Sequence, residues 1–176
     1  MHDDATRLIL EERARELART VEQEEQGERT SLLVLSVRAE LYGIDITVVQ
    51  ETRPFTGMAS LPNVPPFWKG LVNVRGHLCP VLDLGRYLRV PEVEPGAAAD
   101  AGRRMLVVVG GAGRTIALLV DAAGEIRRIA PGSIKPSPAE SLGGSTRAIV
   151  GVTQDLVSVL DAEALLRDRG LVVQGG

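Results

Sequence analysis

Two patterns of apolar residues divide the chain near Gly27. Before it, residues 5–26 contain no Gly or Pro, and apolar side chains recur at steps of four, three and four positions: Leu10, Ala14, Leu17 and Val21. This spacing places one apolar stripe on a helix. We predict an N-terminal helical extension over residues 1–27. A helix this short is marginal alone in water, so we expect it to dock on its own domain or on a partner.

Beyond residue 30, apolar residues alternate with polar ones or form short runs rich in Val and Ile. Runs of this kind, separated by turn residues, are typical of β-strands. Ten such runs occupy residues 33–37, 44–46, 48–52, 71–74, 78–82, 105–109, 115–120, 125–129, 148–152 and 156–160. Many short strands indicate a mainly β fold of the small barrel or sandwich type.

The second half of the chain repeats part of the first. Residues 71–88 match residues 149–166 at an offset of 78, with seven identical pairs, and residues 44–51 echo 118–125 at an offset of 74. A unit used twice predicts two similar subdomains in tandem. The copies differ at one turn, where Asn73, Arg75 and Gly76 are aligned with Gly151, Thr153 and Gln154. Shared positions suit packing, so the unshared polar residues are candidates for function.

Composition and charge exclude several functions. The net charge of −3 argues against nucleic-acid binding, which usually needs a basic stripe. No apolar run is long enough to cross a bilayer, and the acidic start does not resemble a secretory signal. The single cysteine excludes an internal disulfide and fits a reducing compartment. We therefore expect a cytoplasmic protein with no nucleic-acid partner and no membrane insertion.

The residues that could carry chemistry suggest structural roles. Asp83 and Asp161 occupy matching places before short apolar segments, where a carboxylate caps a helix, and Asp121 ends a strand. Cys79 lies within a predicted strand and is expected to be buried, while the nearby His77 has no orienting acid. We assign no catalytic residue, no metal ligand and no cofactor. A small-ligand module or an enzyme using Cys79 and nearby acids stays as an alternative.

Arg75 precedes Gly76 at a predicted hairpin turn. A guanidinium held there is a rigid fork of donors suited to an interface, and Asn73 can bond the local backbone. The spacing alone leaves two possibilities open: an interface residue, or an ordinary exposed turn arginine.

These motifs together resemble the CheW-type coupling proteins of bacterial chemosensory arrays. The resemblance rests on Trp68-Lys69-Gly70, on Asn-x-Arg-Gly at 73–76 and on Pro-Val-x-Asp-Leu at 80–84, and it extends over roughly residues 30–168. It implies two SH3-like five-stranded β-barrels side by side within residues 28–168, followed by a C-terminal tail at 169–176. It also implies a non-catalytic adaptor that couples chemoreceptor tips to the regulatory domain of a CheA-type histidine kinase, cytoplasmic and recruited to receptor arrays.

The resemblance also implies an interface. The family's essential arginine corresponds to Arg75, its receptor-contacting Val-x-Glu to Val49 and Glu51, and its glycine before the strand to Gly70. The full implied set is Val49, Glu51, Gly70, Asn73, Arg75 and Gly76. Because side chains alternate along a strand, we expect Val49 and Glu51 to share one face beside the receptor groove.

Overall fold

The computed structural model describes residues 29–92, 104–111, 113–130, 132–136 and 148–168. The predicted N-terminal helix (1–27) and the C-terminal tail (169–176) lie outside these ranges.

Eleven strands and two short α-helices form the described part of the chain. In order these are β1 (Thr30–Val37), β2 (Glu40–Asp45), a 3-10 helix (Ile46–Val48), β3 (Val49–Pro54), β4 (Trp68–Val74), β5 (His77–Asp83), the helix Leu84–Tyr87, β6 (Met105–Gly111), β7 (Arg114–Val120), β8 (Ala122–Ile129), β9 (Lys135–Pro136), β10 (Ile149–Val152), β11 (Ser158–Leu160) and the helix Ala162–Arg167. Each of the ten predicted runs overlaps one of these strands. The added strand, β9, pairs only with β10, an edge position that tolerates proline.

The strands form two sheets of matching design. The first sheet has the order β3-β6-β7-β5-β4, and the second has the order β8-β1-β2-β11-β10-β9. Under the offsets of the sequence repeat, the two orders correspond strand for strand, with β9 added. The prediction of a mainly β fold with two similar units is confirmed.

The prediction that these two units follow one another in tandem along the chain is wrong. The β1–β2 hairpin pairs with β8 and β11, and the β6–β7 hairpin pairs with β3 and β5. The two halves of the chain therefore exchange their first hairpins. The reason lies in the connections: the 3-10 helix Ile46–Val48 after β2 and the single residue Asp121 after β7 direct the chain into the other sheet.

The main hydrophobic core lies between the two sheets. It takes residues from both, including Leu35, Ile44, Val107 and Leu118. A second cluster belongs to the first sheet alone and includes Val72, Cys79, Val81, Leu106 and Val108. Successive residues of β6 alternate between the two clusters, as the pleat of a strand requires. A sheet buried on both faces explains why these strands read as continuous apolar runs.

Both α-helices begin at the predicted aspartates. The Asp83 carboxylate accepts a hydrogen bond from the Arg86 backbone N–H at 3.0 Å, and the Asp161 carboxylate accepts one from Ala164 at 2.8 Å. Each satisfies a backbone donor that the first helical turn leaves unpaired. The predicted capping role of both residues is confirmed.

The two repeated hairpins differ in length more than the sequence match indicates. Gly70 pairs with Val81 and Gly151 pairs with Val159, so these two glycines are the structural equivalents. The strands before the turns are thus related by an offset of 81 (151 minus 70), not 78. The sequence alignment of Val72 with Val150 is wrong, because Val72 is buried whereas Val150 is 53% exposed. The first hairpin is three residues longer.

Candidate functional site

The β4–β5 turn explains the spacing of the Asn-x-Arg-Gly motif. Arg75 and Gly76 both have positive φ, at 52° and 87°, as a two-residue hairpin turn between twisted strands requires. The Asn73 side-chain oxygen accepts a hydrogen bond from the Gly76 N–H at 2.8 Å. Asn73 and Gly76 therefore fix the turn, and the turn holds Arg75 at the tip, where its side chain is 73% exposed.

Arg75 forms an ion pair with Glu51, which the resemblance assigns to the receptor-contacting Val-x-Glu. Arg75 Nε donates to Glu51 Oε2 at 2.9 Å, and Arg53 Nη2 donates to the Asn73 carbonyl oxygen at 2.9 Å. Glu51 and Arg53 lie on β3, and Asn73 lies on β4, which are the two outer strands of the first sheet. The sheet must therefore curl until its edges meet. An exposed ion pair contributes at most about 1 kcal/mol, so its main effect is orientation.

Val49 and Glu51 do not share a face of β3. Val49 pairs with Val109, and Glu51 pairs with Val108, with a register shift between them. A bulge of this kind sets two residues against one. Val49 consequently packs against the core between the sheets, whereas Glu51 points to the other face, toward Arg75. The expectation that the two residues share one face of the strand is wrong.

The edge of the main core carries an exposed apolar side chain that the sequence reasoning missed. Val49 on β3 and Ala123 on β8 both pack against this core. Ile126 pairs with the buried Leu33 but is 57% exposed. We refer to these three apolar residues together as the core-edge patch. One sign of this exposed side chain was present in the sequence. At the repeat offset of 74, Ile126 corresponds to the polar Thr52, since 52 plus 74 is 126.

Two exposed leucines at the hairpin tips were also missed. Leu78 is 73% exposed next to the Arg75 turn, and Leu156 is 80% exposed in the turn of the second sheet. They are equivalent under the offset of 78. Strand alternation gave the signal, because the buried Cys79 and Val81 direct Leu78 outward.

Cys79 is a packing residue. It is buried in the cluster of the first sheet, and burial raises the pKa of its thiol to about 11, an effect that Arg53 opposes and Glu51 reinforces. A thiol with such a pKa is a poor nucleophile at neutral pH. Asp121 accepts a hydrogen bond from the Arg38 backbone N–H, so it stabilises the β1–β2 turn. Within the described ranges, no group of three or more His, Cys, Asp or Glu residues could hold a metal ion.

A family model described as the CheW-like domain matches residues 31–170. This chain belongs to the CheW-like family. The exposed turn with Asn73, Arg75 and Gly76 is therefore part of a CheW-like domain that acts as a non-catalytic adaptor, coupling chemoreceptors to a CheA-type histidine kinase. The alternative of an enzyme using Cys79 is excluded by this membership. The two α-helices of the described part have four and six residues, and none there is long and apolar enough to cross a membrane.

Proteins from several bacteria are similar to this chain. The chain is 29% identical over 137 residues to the chemotaxis protein CheW of Klebsiella aerogenes, covering 76% of this chain and 80% of that protein. It is 33% identical over 118 residues to the protein FrzA of Myxococcus xanthus, covering 62% and 68%. Among solved structures, the scaffolding protein TtCheW of Thermoanaerobacter tengcongensis matches with a TM-score of 0.68 at 27% identity, covering 81% of this chain and 96% of that one.

Proposed function

We propose that this CheW-like adaptor contacts its two partners, a methyl-accepting chemoreceptor tip and the regulatory domain of a CheA-type kinase, through two separate surfaces. One surface is the β4–β5 tip, with Arg75 oriented by Glu51, Asn73 and Gly76. The other is the core-edge patch of Val49, Ala123 and Ile126. One observation carries the proposal: Arg75 presents an exposed guanidinium at its turn, and the second copy has no arginine at the corresponding position. The adaptor acts in the cytoplasm, recruited to receptor arrays.

The core-edge patch has the chemistry of a helix-binding groove. Apolar side chains of an amphipathic helix dock where a partner's own core is open at its edge. Ile126 provides exposed apolar area, and Val49 and Ala123 are partly buried apolar side chains that pack against the main core. We assign the receptor helices to this patch. Thr52 faces the same side as Val49, because it pairs with Val107 of the main core, and makes the patch more polar on β3.

The hairpin tips suit a partner built on similar sheets. Leu78 and Leu156 are equivalent exposed leucines, one on each sheet. Kinase contact at both tips would give the adaptor two weak attachment points, and linked weak contacts build an array by raising effective concentration. Each sheet, in this proposal, forms an SH3-like barrel with its tip directed toward a partner.

Gly70 serves the interface through packing. A Cβ at this position would lie 2.2 Å from the Ala59 carbonyl oxygen, so only glycine permits the pair of backbone hydrogen bonds between Ala59 and Leu71. Gly70 therefore holds residues 58–60 against β4 and supports the strand that leads to Arg75.

Arg75→Glu tests the tip. We expect assembly with receptor and kinase to weaken by at least about tenfold, because a reversed charge at an interface repels the partner. Unfolding free energy should change by less than about 1 kcal/mol, since the side chain is exposed. Pull-down of the ternary complex and urea denaturation measure both effects.

Two controls sharpen that test. Arg167→Glu removes an equally paired, exposed arginine on a helix far from the turn in sequence and should leave assembly unchanged. The exchange Arg75→Glu with Glu51→Arg restores the ion pair but not the exposed positive charge at the tip, so assembly should stay weak. Recovery in the exchange variant would mean that the pair acts only by stabilising the fold.

Ile126→Asp tests the patch separately. We expect receptor binding to fall more than kinase binding, because a charge enters an apolar contact while the exposed position leaves folding intact. Leu41→Asp, at an exposed leucine on β2, is the matched control. Glu51→Lys should instead follow the pattern of Arg75→Glu. If Glu51→Lys impaired receptor binding alone, the assignment of Glu51 to the tip would be wrong.

A further inference from the structure

One face of β8 places an exposed isoleucine beside an exposed arginine. β8 is an outer strand of the second sheet. Ile126 pairs with Leu33 and Arg128 pairs with Ser31, without a register shift between the two pairs. Cross-strand partners and alternate residues share a face, so both side chains lie on the face where Leu33 packs into the main core. Ile126 is 57% exposed there, and Arg128 is exposed as well.

Arg29 adds a second cation to this face. It precedes β1 by one residue and continues the alternation of Ser31 and Leu33. Because Ser31 pairs with Arg128, the position of Arg29 is a diagonal neighbour of Arg128 across the two strands, within reach of long side chains. Arg29 is also exposed. This end of the second sheet therefore presents an apolar side chain followed by two like charges.

The acids of the described residues do not neutralise these arginines. Neither Arg29 nor Arg128 forms an ion pair within the described ranges. The adjacent Arg127, on the opposite face of β8, instead pairs with Glu125 at 2.7 Å and with Asp155 at 3.8 Å. Asp155 borders the same surface opening as Arg128, but its ion pair is with Arg127. Two free cations in a chain of net charge −3 are a local feature that an acidic partner would complement.

The spacing of this surface suits a helix. Alternate residues of a strand lie about 6.8 Å apart, and one helical turn advances about 5.4 Å. A carboxylate three or four positions from an apolar helix residue can therefore reach Arg128 while the apolar residue contacts Ile126. The first sheet has no such pair of residues, because Thr52 and Pro54 stand at the equivalent positions under the offset of 74.

We propose that Ile126, Arg128 and Arg29 together form an acidic-helix site, which selects receptor helices carrying carboxylates one turn away from the apolar side chain that contacts Ile126. This inference rests on the assignment of the receptor helices to the core-edge patch, and it adds the chemistry of the partner. A receptor helix with Lys or Arg at those positions would be rejected by like-charge repulsion.

Charge reversal tests the acidic-helix site in the full chain. We expect Arg128→Glu to weaken binding to the cytoplasmic tip of a chemoreceptor from the same organism by at least about tenfold, and Arg29→Glu with Arg128→Glu to weaken it further. The loss should shrink at high ionic strength, because salt screens exposed charges. Arg128→Lys keeps the charge and should retain most of the affinity. Arg89→Glu, at another exposed arginine, is the matched control and should bind normally.

A reciprocal reversal identifies the partner's residue. Each glutamate or aspartate of the receptor tip is replaced by lysine in turn, and binding to Arg128→Glu is measured. One of these receptor variants should restore binding to Arg128→Glu while binding the original chain poorly. Restoration by none of them would overturn the proposal.

Ile126→Asp separates this inference from the assignment on which it rests. If Ile126→Asp weakens receptor binding and the double charge reversal does not, the acidic-helix site is wrong while the receptor assignment stands. If neither affects receptor binding, the assignment itself fails and the site with it. An equal loss of kinase binding in the double reversal would assign the arginines to the kinase. Unchanged receptor binding, together with lost binding to phosphatidylserine vesicles, would assign them to a lipid surface. Either of these last two results refutes the proposal.

Discussion

Residues far apart in the chain acquire their roles through the contacts that folding gives them. Glu51 and Arg75 are 24 positions apart, yet their side chains meet at 2.9 Å across the two edges of one sheet. Glu51 is mostly buried in this pair and Arg75 mostly exposed, so the carboxylate positions the guanidinium without concealing it. The same neighbourhood contains Cys79: Arg53 lowers the pKa of its thiol, and Glu51 raises it.

Cys79 gives a pH-dependent prediction. Burial raises its pKa from 9.0 to about 11, so the folded state holds the thiol proton more tightly than the unfolded chain does. The contribution of this thiol to the free energy of unfolding should therefore be fully present below pH 9 and should fall as the pH rises from 9 to 11. Denaturation by urea across this range measures the slope.

Cys79→Val is the matched variant, because valine occupies the repeat position Val157. It should lose the part of the slope due to the thiol. Burial also raises the pKa of Tyr42, so some loss of stability at high pH stays in both proteins. An identical slope in the two proteins would contradict the buried, proton-retaining thiol.

At the scale of elements, two glycines allow a neighbouring segment to approach a strand closely. Gly70 on β4 faces the Ala59 carbonyl, and Gly151 on β10 faces the Lys135 carbonyl. Both also follow a register shift in the hairpin. The same device thus recurs in both sheets: a bulge, then a glycine against a backbone oxygen.

We expect Gly70→Ala and Gly151→Ala each to destabilise the fold by about 1–3 kcal/mol, because the added methyl would clash with a backbone atom. The new Cβ would lie 2.2 Å from the carbonyl oxygen in the first variant and 2.3 Å in the second. Gly124→Ala is the control, since its nearest contact is the Val34 carbonyl oxygen at an ordinary 3.4 Å. Urea denaturation compares the three. Equal effects in all three variants would show that close approach is not the cause.

At the scale of the whole molecule, the two sheets share one strand order and one core between them. The sheets differ at their tips, where the first has the longer hairpin and the arginine. The two sheets of the adaptor are therefore similar but not identical. Partners can therefore distinguish the first sheet from the second.

Deleting residues 1–27 should leave a folded two-sheet core that still binds the kinase. Every core residue of the described structure lies at Leu32 or later, so the deletion removes none of them. We expect the melting temperature to fall by a few degrees at most. Calorimetry and kinase pull-down provide the measurements. An insoluble product, or one that no longer binds the kinase, would place residues 1–27 in the core or in the main interface.

Local patterns predicted local structure well. Strand positions followed from alternation and Val/Ile content, and the helix starts followed from Asp83 and Asp161. The bulge between Val49 and Glu51 was not predictable, because one extra residue changes the face of a side chain without changing the apolar pattern. The exchange of the first hairpins between the two sheets could not be predicted either. A repeated sequence has the same apolar pattern whether its hairpin pairs with strands of its own half or of the other half.

The exchanged hairpins also determine when the protein can fold during synthesis. The β1–β2 hairpin leaves the ribosome first, but its neighbours β8 and β11 begin only at Ala122 and Ser158. Until then the hairpin presents two unpaired edges of apolar strands, a state prone to wrong association. The strands of the first sheet are all synthesised once β7 ends at Val120, so this sheet can form before the second. Nascent chains of this protein therefore depend on the last third of the sequence to protect the first third.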